Sequence, residues 1–472
     1  MHGLAIDWTE RMHDTTMCKV SAAILAATML ATAGCSFSLG QAPGVSGSLP
    51  GTSGSSLDAL LRRGAIQHIV VIVQENRSVD NLFKGFPGAN TVASGKNQQG
   101  KTIVLRPVSL TAPYDLSHLH VAWISDYDHG KMDGFSAERM ACIHKRRCPS
   151  RKVASYGYVP RSEIEPYWEM AEQYTFADNM FQTNQGPSFP AHQYLISGTS
   201  TIRNLSDLKA SGNATGPQHQ GRQGGCNSLP GATVSTIDRR GLEGPHVFPC
   251  FDRDSIMNLM NVRTVTWHYY QEFGGSGAWH AVDAVVPIWQ GPSYPNVIWP
   301  SAQVLKDIRT HKLPDVTFVT PSAAESDHAK ATNGSGPSWV ASIVNAIGES
   351  SYWDHTAIIV TWDDWGGWYD HVAPKVYNSY ELGFRVPMIV ISPYAKQRHV
   401  SHVAYEFGSI LKSIEETFVL PSLGTTDVRS NDLSDCFNFR AKPRPFKRIH
   451  AERSAQYFER LPISYESPDD DE

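Results

Sequence analysis

Short, mostly apolar runs alternate along this chain with stretches in which apolar residues recur every three or four positions. Four of the runs, residues 66–73, 315–320, 356–362 and 386–392, have the near-continuous hydrophobicity of strands covered on both faces, as in a mainly parallel sheet. Amphipathic stretches at 338–350 and 407–418, with further helical candidates at 166–174 and 192–197, predict the intervening helices of βα units. The stretch from about 204 to 249 is rich in Gly, Gln, Asn and Pro and predicts a long excursion away from the core. The expected fold class is α/β, with a mostly parallel central sheet flanked by helices and long loop insertions.

The amino end has a different pattern. From Met17, "MCKVSAAILAATMLATAGCS" runs from a charged start through an apolar segment to small residues, the layout of a secretory signal, with Ala31-Thr32-Ala33 as the cleavage site. Residues 1–35 are therefore expected to be a signal peptide, with translation starting at Met12 or Met17. The ending at Cys35 also fits a lipoprotein signal, although Thr32 stands where Leu or Val is usual. Residues 36–60, rich in Gly, Ser and Pro, suit a flexible linker; 61–460 would form the catalytic domain and 461–472 an acidic tail. The expected location is exported, either periplasmic or secreted, with an outer-membrane lipoprotein anchored through Cys35 as the variant. Export agrees with Cys142–Cys148 and Cys226–Cys250 as local disulfides, although spacing does not fix the pairing and "CIHKRRC" leaves a zinc site open.

At 472 residues and 41% hydrophobic, the chain can bury a large core, and 37 Gly, 29 Pro and 12 Trp suggest a loop-rich enzyme surface. A formal net charge of −5 supplies no basic field for nucleic acid.

Two strand runs end in unusual polar residues. "VVIVQEN" delivers Glu75 and Asn76, and "IIVTWDDWGG" delivers Asp363 and Asp364. Parallel α/β sheets bind ligands beyond the carboxyl ends of their strands, so both pairs are expected at one edge. Either pair alone reads most simply as a helix cap. Together they gather three carboxylates and an amide, a set that repels itself unless a divalent cation sits among its oxygens. Ser188, ahead of the helix expected at 192–197, is the candidate nucleophile, although a Ser in that place is ordinarily a cap. His328 and His371 each follow a strand end, and "YDLSHLHVAW" adds His118 and His120; imidazoles there could stabilise a transferred phosphoryl group or protonate a leaving oxygen.

These motifs resemble a known family, the bacterial phosphoesterases that include phospholipases C and acid phosphatases, within the alkaline-phosphatase-like superfamily. "ENRSVDNLF", "YDLSHLHVAWISDYDHGKMDGF", "QGPSFPAHQYLISGT", "ESDH" and "WDDWGGWYDHVAP" occur in family order from about residue 66 to 416. The resemblance implies an alkaline-phosphatase-like fold and one divalent metal (Ca, Mg, Mn or Zn) held by Glu75, Asn76, Ser188, Asp363 and Asp364. It makes Ser188 the nucleophile and puts His118, His328 and His371 in the phosphate pocket. Where the family usually has Pro-Asn-Arg or Pro-Asn-His after the nucleophile, this chain has Pro190-Ala191-His192, which puts one substrate or supporting contact in doubt.

The expected activity is an exported, acid-phosphatase-like phosphoesterase acting on phosphomonoesters or phosphodiesters through a phosphoserine. Its partners would be a small phosphate ester or a phospholipid head group, with membrane contact only through a lipid anchor or a lipid substrate. A phospholipase C is the alternative, set lower because the chain stops soon after the catalytic core. A non-catalytic exported protein that binds phosphate esters or metal is the second alternative. A sulfatase is disfavoured, since its nucleophile sits in a Cys/Ser-x-Pro-x-Arg setting and no such arginine follows Ser188.

Overall fold

The structure, a computed structural model, describes residues 62–143, 148–216 and 223–466. The expected signal, the linker and the end of the acidic tail lie outside those residues. Eight strands form one sheet: β1 (His68–Gln74), β2 (Thr175–Ala177), β3 (Trp267–Tyr270), β4 (Val297–Ile298), β5 (Val316–Val319), β6 (Thr356–Trp362), β7 (Met388–Ile391) and β8 (His399–Ser401). Their order across the sheet is β4-β3-β5-β1-β6-β7-β2-β8. Every neighbouring pair is parallel except the two made by β7, which runs against both β6 and β2. The mostly parallel α/β sheet expected from the sequence is therefore present. The apolar pattern of 386–392 marked a buried strand but carried no sign of its direction.

β1 is central, with β5 on one side and β6 on the other. Ile69 to Val73 are all buried, as are all seven residues of β6, which accounts for their uninterrupted hydrophobicity. Five helices of at least eight residues lie among the strands: α1 (His120–Tyr127), α2 (Glu165–Gln173), α3 (Ser188–Ser197), α4 (Gly336–Gly348) and α5 (Phe407–Phe418). The last coincides with its expected range, and α2 and α4 lie within two residues of theirs. α3 begins at Ser188, four residues before its expected start at 192. Among its described residues, the segment 204–249 contributes short strands and isolated bridges and no helix, as an excursion should. Cys142 is bonded to Cys148 and Cys226 to Cys250, which removes the zinc reading of "CIHKRRC" because both sulfurs are used.

The middle of β1 tests the packing of this core. Ile72 is fully buried, so Ile72→Val should cost about 0.5–1.5 kcal/mol and Ile72→Ala about 2–5 kcal/mol in chemical denaturation. A loss below about 1 kcal/mol for the alanine would mean that β1 is not close-packed on both faces.

Candidate active site

The site is built where β1 and β6 end. Gln74 pairs with Trp362 in the parallel ladder, and the Asp363 amide donates to the Gln74 carbonyl at 3.0 Å. The next two residues on each strand therefore emerge level with one another, Glu75 and Asn76 beside Asp363 and Asp364. All four are fully buried. Glu75 and Asn76 do not cap the short helix after β1, which is capped by Ser78, whose side chain accepts from the Asn81 amide.

Asn76 turns the chain with φ of 60°, a left-handed conformation that Asn tolerates better than most residues. Its amide donates to Asp363 Oδ1 at 3.0 Å, clasping the two strand ends together. Gly366 makes this approach feasible. At φ of 61°, it lies so near the turn that a Cβ would stand 2.3 Å from the Asn76 carbonyl oxygen. Its amide donates to Asp364 Oδ1 at 2.7 Å and holds that carboxylate.

Ser188 is the first residue of α3 and makes no capping bond; its Oγ donates to Asp364 Oδ2 at 3.0 Å. His118 Nδ1 donates to the Leu116 carbonyl at 2.8 Å, which fixes its tautomer, so Nε2 accepts from Asn76 Nδ2 at 3.0 Å. Nε2 also lies 3.9 Å from Asp364 Oδ2. His328 donates from Nδ1 to the Ala329 carbonyl at 2.7 Å, and its ring centre is 6.0 Å from that of His118. The structure thus gathers Glu75, Asn76, Asp363, Asp364, Ser188, His118 and His328 around one point. His120 lies aside, its ring 5.2 Å from Tyr380 and its Nδ1 3.7 Å from Glu243.

His371 is held elsewhere. Its Nδ1 lies 2.6 Å from Asp80 Oδ2 and its Nε2 lies 3.0 Å from Asn90 Oδ1. Arg385 spans both oxygens of neighbouring Asp370 at 2.8 and 3.1 Å. These contacts make an ion-pair cluster that holds the half-buried His371 ring.

Conversely, His192 joins the first group, although in the sequence it carried no assigned role and only its neighbour Ala191 was marked as a departure from the family pattern. Its Nε2 lies 3.0 Å from Glu75 Oε1 and 3.8 Å from Asp363 Oδ2. Because α3 starts at Ser188, His192 is four residues along and on the same face. A helix starting at 192 hides that relation.

Both acidic clusters could geometrically hold a cation, but their needs differ. Around Asp80 and Asp370, the Arg385 guanidinium already supplies the positive charge. At the strand ends, Asp363 Oδ2 and Asn76 Oδ1 are buried without a hydrogen-bond partner. Oxygen atoms in that state, among carboxylates, are the donor set of a divalent cation. The residues present fit the metal that the resemblance implies.

Supporting contacts lock the floor of the site. Arg77, next to Asn76, donates to the carbonyls of Asp327 and Leu110, both at 2.8 Å. Asp327 Oδ2 accepts from Tyr167 at 2.9 Å and from the Trp362 indole at 3.0 Å. Burial raises the Asp327 carboxyl from 3.8 to about 6, with Arg77, Tyr167 and Trp362 pulling it back down.

A family model described as the Phosphoesterase family matches residues 66–421, a span that holds every residue of this site. The hemolytic phospholipase C of Pseudomonas aeruginosa is 24% identical over 84% of this chain, which spans 60% of that protein's length. Phospholipase C B of Mycobacterium tuberculosis is 24% identical, over 81% of this chain and 79% of its own. Among solved structures, a protein of the alkaline phosphatase superfamily from Vibrio parahaemolyticus superposes with a TM-score of 0.35 at 10% identity, covering 80% of this chain and 79% of its own.

Two measurements check the site. Gly85 also has positive φ, at 79°, but nothing stands within 4 Å of a Cβ placed there. Gly85→Ala should therefore carry only left-handed strain, about 1–2 kcal/mol, whereas Gly366→Ala should cost more in denaturation and also displace Asn76. Equal costs would contradict the close approach. For Asp327, a folded pKa above the unfolded value means a contribution fully present below 3.8 and lost as pH rises through about 6. Asp327→Asn mimics the neutral form, so it should stabilise the protein relative to wild type more at about pH 7.5 than at about pH 5, by on the order of 1–3 kcal/mol. An advantage that is the same at both pH values would show that Asp327 does not titrate there.

Proposed function

Since the chain belongs to the Phosphoesterase family, we propose that it is an exported, metal-dependent hydrolase of phosphate esters that works through a phosphoserine at Ser188. The observation that carries this reading is the Ser188 hydroxyl, 3.0 Å from Asp364, at the first turn of a ten-residue helix and beside the level ends of β1 and β6.

Glu75, Asn76, Asp363, Asp364 and Ser188 would hold one divalent cation, which when bound neutralises charge and makes the serine oxygen and the phosphoryl group more reactive. The chain's own residues do the rest. Asp364 accepts the Ser188 hydrogen bond and orients Oγ for in-line attack on phosphorus. The amide groups at the start of α3 favour phosphate oxygens. As the Oγ–P bond forms, the Ser188 proton passes to Asp364 Oδ2, which already accepts its hydrogen bond. As the ester bond breaks, the leaving oxygen takes a proton from an imidazole, for which His328 would act through Nε2 because its Nδ1 is committed to Ala329. Water then cleaves the phosphoserine. Ser188 is fully buried, so the cover of the site must move to admit substrate. The Trp279 ring, 6.1 Å from His328, is one wall of that enclosure.

The two disulfides support an oxidising, exported location. Among the described residues, no helix is long and apolar enough to cross a membrane. A phosphomonoesterase is one reading of substrate class. A phospholipase C is the other, and the names of both relatives favour it.

Hydrolysis of p-nitrophenyl phosphate and p-nitrophenylphosphorylcholine by metal-replete protein, at acidic and neutral pH, separates the two. Ser188→Ala should lower turnover of the preferred ester by about 10³-fold or more while leaving the fold intact. Substantial residual turnover would remove Ser188 from its role. No turnover of any ester by metal-bound wild type would favour the non-catalytic binding protein.

A further inference from the structure

We propose that His192 is itself a ligand of the cation, through Nε2. The inference rests on the metal reading of the strand-end cradle and extends it to a residue outside the expected set. His192 is buried, and its ring lies nearly parallel to that of Trp279, at 18° and 6.4 Å between centres. Its Nε2, one oxygen of Glu75 and one of Asp363 all lie within 4.8 Å of one another.

Two arrangements could account for a nitrogen placed there. In the first, Nε2 carries a proton and donates it to Glu75 Oε1 at 3.0 Å. That proton serves one carboxylate only, and Asp363 Oδ2, 3.8 Å from the same nitrogen, remains buried with no hydrogen-bond partner. In the second, Nε2 presents its lone pair, and the three atoms are corners of one coordination shell. Ligand atoms about 2.0–2.2 Å from a common cation stand roughly 2.8–3.6 Å apart, a range that contains the 3.0 Å separation from Nε2 and lies just below the 3.8 Å one. A single cation then satisfies Asp363 Oδ2, the unpartnered Asn76 Oδ1 and both carboxylate charges together. The second arrangement leaves fewer buried polar atoms unsatisfied.

A nitrogen donor also changes which cation is preferred. Carboxylate and carbonyl oxygens alone suit Ca, Mg and Mn, whereas imidazole suits Zn and other later first-row ions. His192 therefore biases the cradle towards the Zn class. Its position four residues after Ser188 ties that preference to the same helix that carries the nucleophile.

The test is X-ray absorption at the zinc edge of the full chain loaded with one equivalent of Zn, together with Zn and Ca affinities of wild type, His192→Gln, His192→Asn and Asp363→Asn. Wild type should show the outer-shell scattering of a bound imidazole, and both His192 variants should lose it while keeping the oxygen shell. Zn affinity should fall at least about tenfold in these variants, and Ca affinity much less. Imidazole scattering that is absent from wild type, or that persists in both variants, overturns the inference while leaving the cradle in place. A wild type that binds no Zn, or an Asp363→Asn variant that binds it as tightly as wild type, overturns the cradle as well.

Discussion

The register between β1 and β6 is the constraint on which the site depends. Because Gln74 stands opposite Trp362, Glu75, Asn76, Asp363 and Asp364 leave the sheet at one level. Being on adjacent parallel strands, they are also forced close together. Three carboxylates so placed and fully buried would destabilise the fold through desolvation and mutual repulsion. A slip of one residue would send these side chains to opposite faces. The specific fit of the packed side chains and the bond from the Asn76 amide to Asp363 Oδ1 oppose such a slip, so the packing of the core fixes the geometry at the strand ends.

Two buried acidic clusters lie along the same motifs, and they resolve their charge differently. Asp80 and Asp370 are met by Arg385, with His371 completing the network. Burial raises the Asp370 carboxyl above its usual range, and Arg385 opposes that rise. The strand-end cluster has Asp363 Oδ2 and Asn76 Oδ1 left over. That difference in unsatisfied atoms, rather than the number of acids, is why the proposed cation belongs at the strand ends and not beside Arg385.

Much of this was legible in the sequence because it rests on local signals. Unbroken apolar runs marked the strands, and acidic pairs at their ends marked the edge where ligands bind. What was hidden depended on element boundaries and on long-range pairing. The start of α3 at Ser188 brought His192 onto the nucleophile's face, but the Pro at 190 and the aromatic Phe189 weakened any helical reading there. His371 follows a strand end as His328 does, and nothing local reveals that Asp80, 291 residues away, takes its ring. The reversed direction of β7 was equally invisible, since burial on both faces gives the same apolar pattern in either direction.

Anomalous diffraction from a crystal of the full chain grown with a divalent transition-metal ion tests the central claim most directly. A cation cradle at the strand ends predicts a single strong peak bounded by Glu75, Asn76, Asp363 and Asp364, with Ser188 Oγ alongside. A peak at Asp80, Asp370 and His371 instead, or none at the ends of β1 and β6, would contradict it.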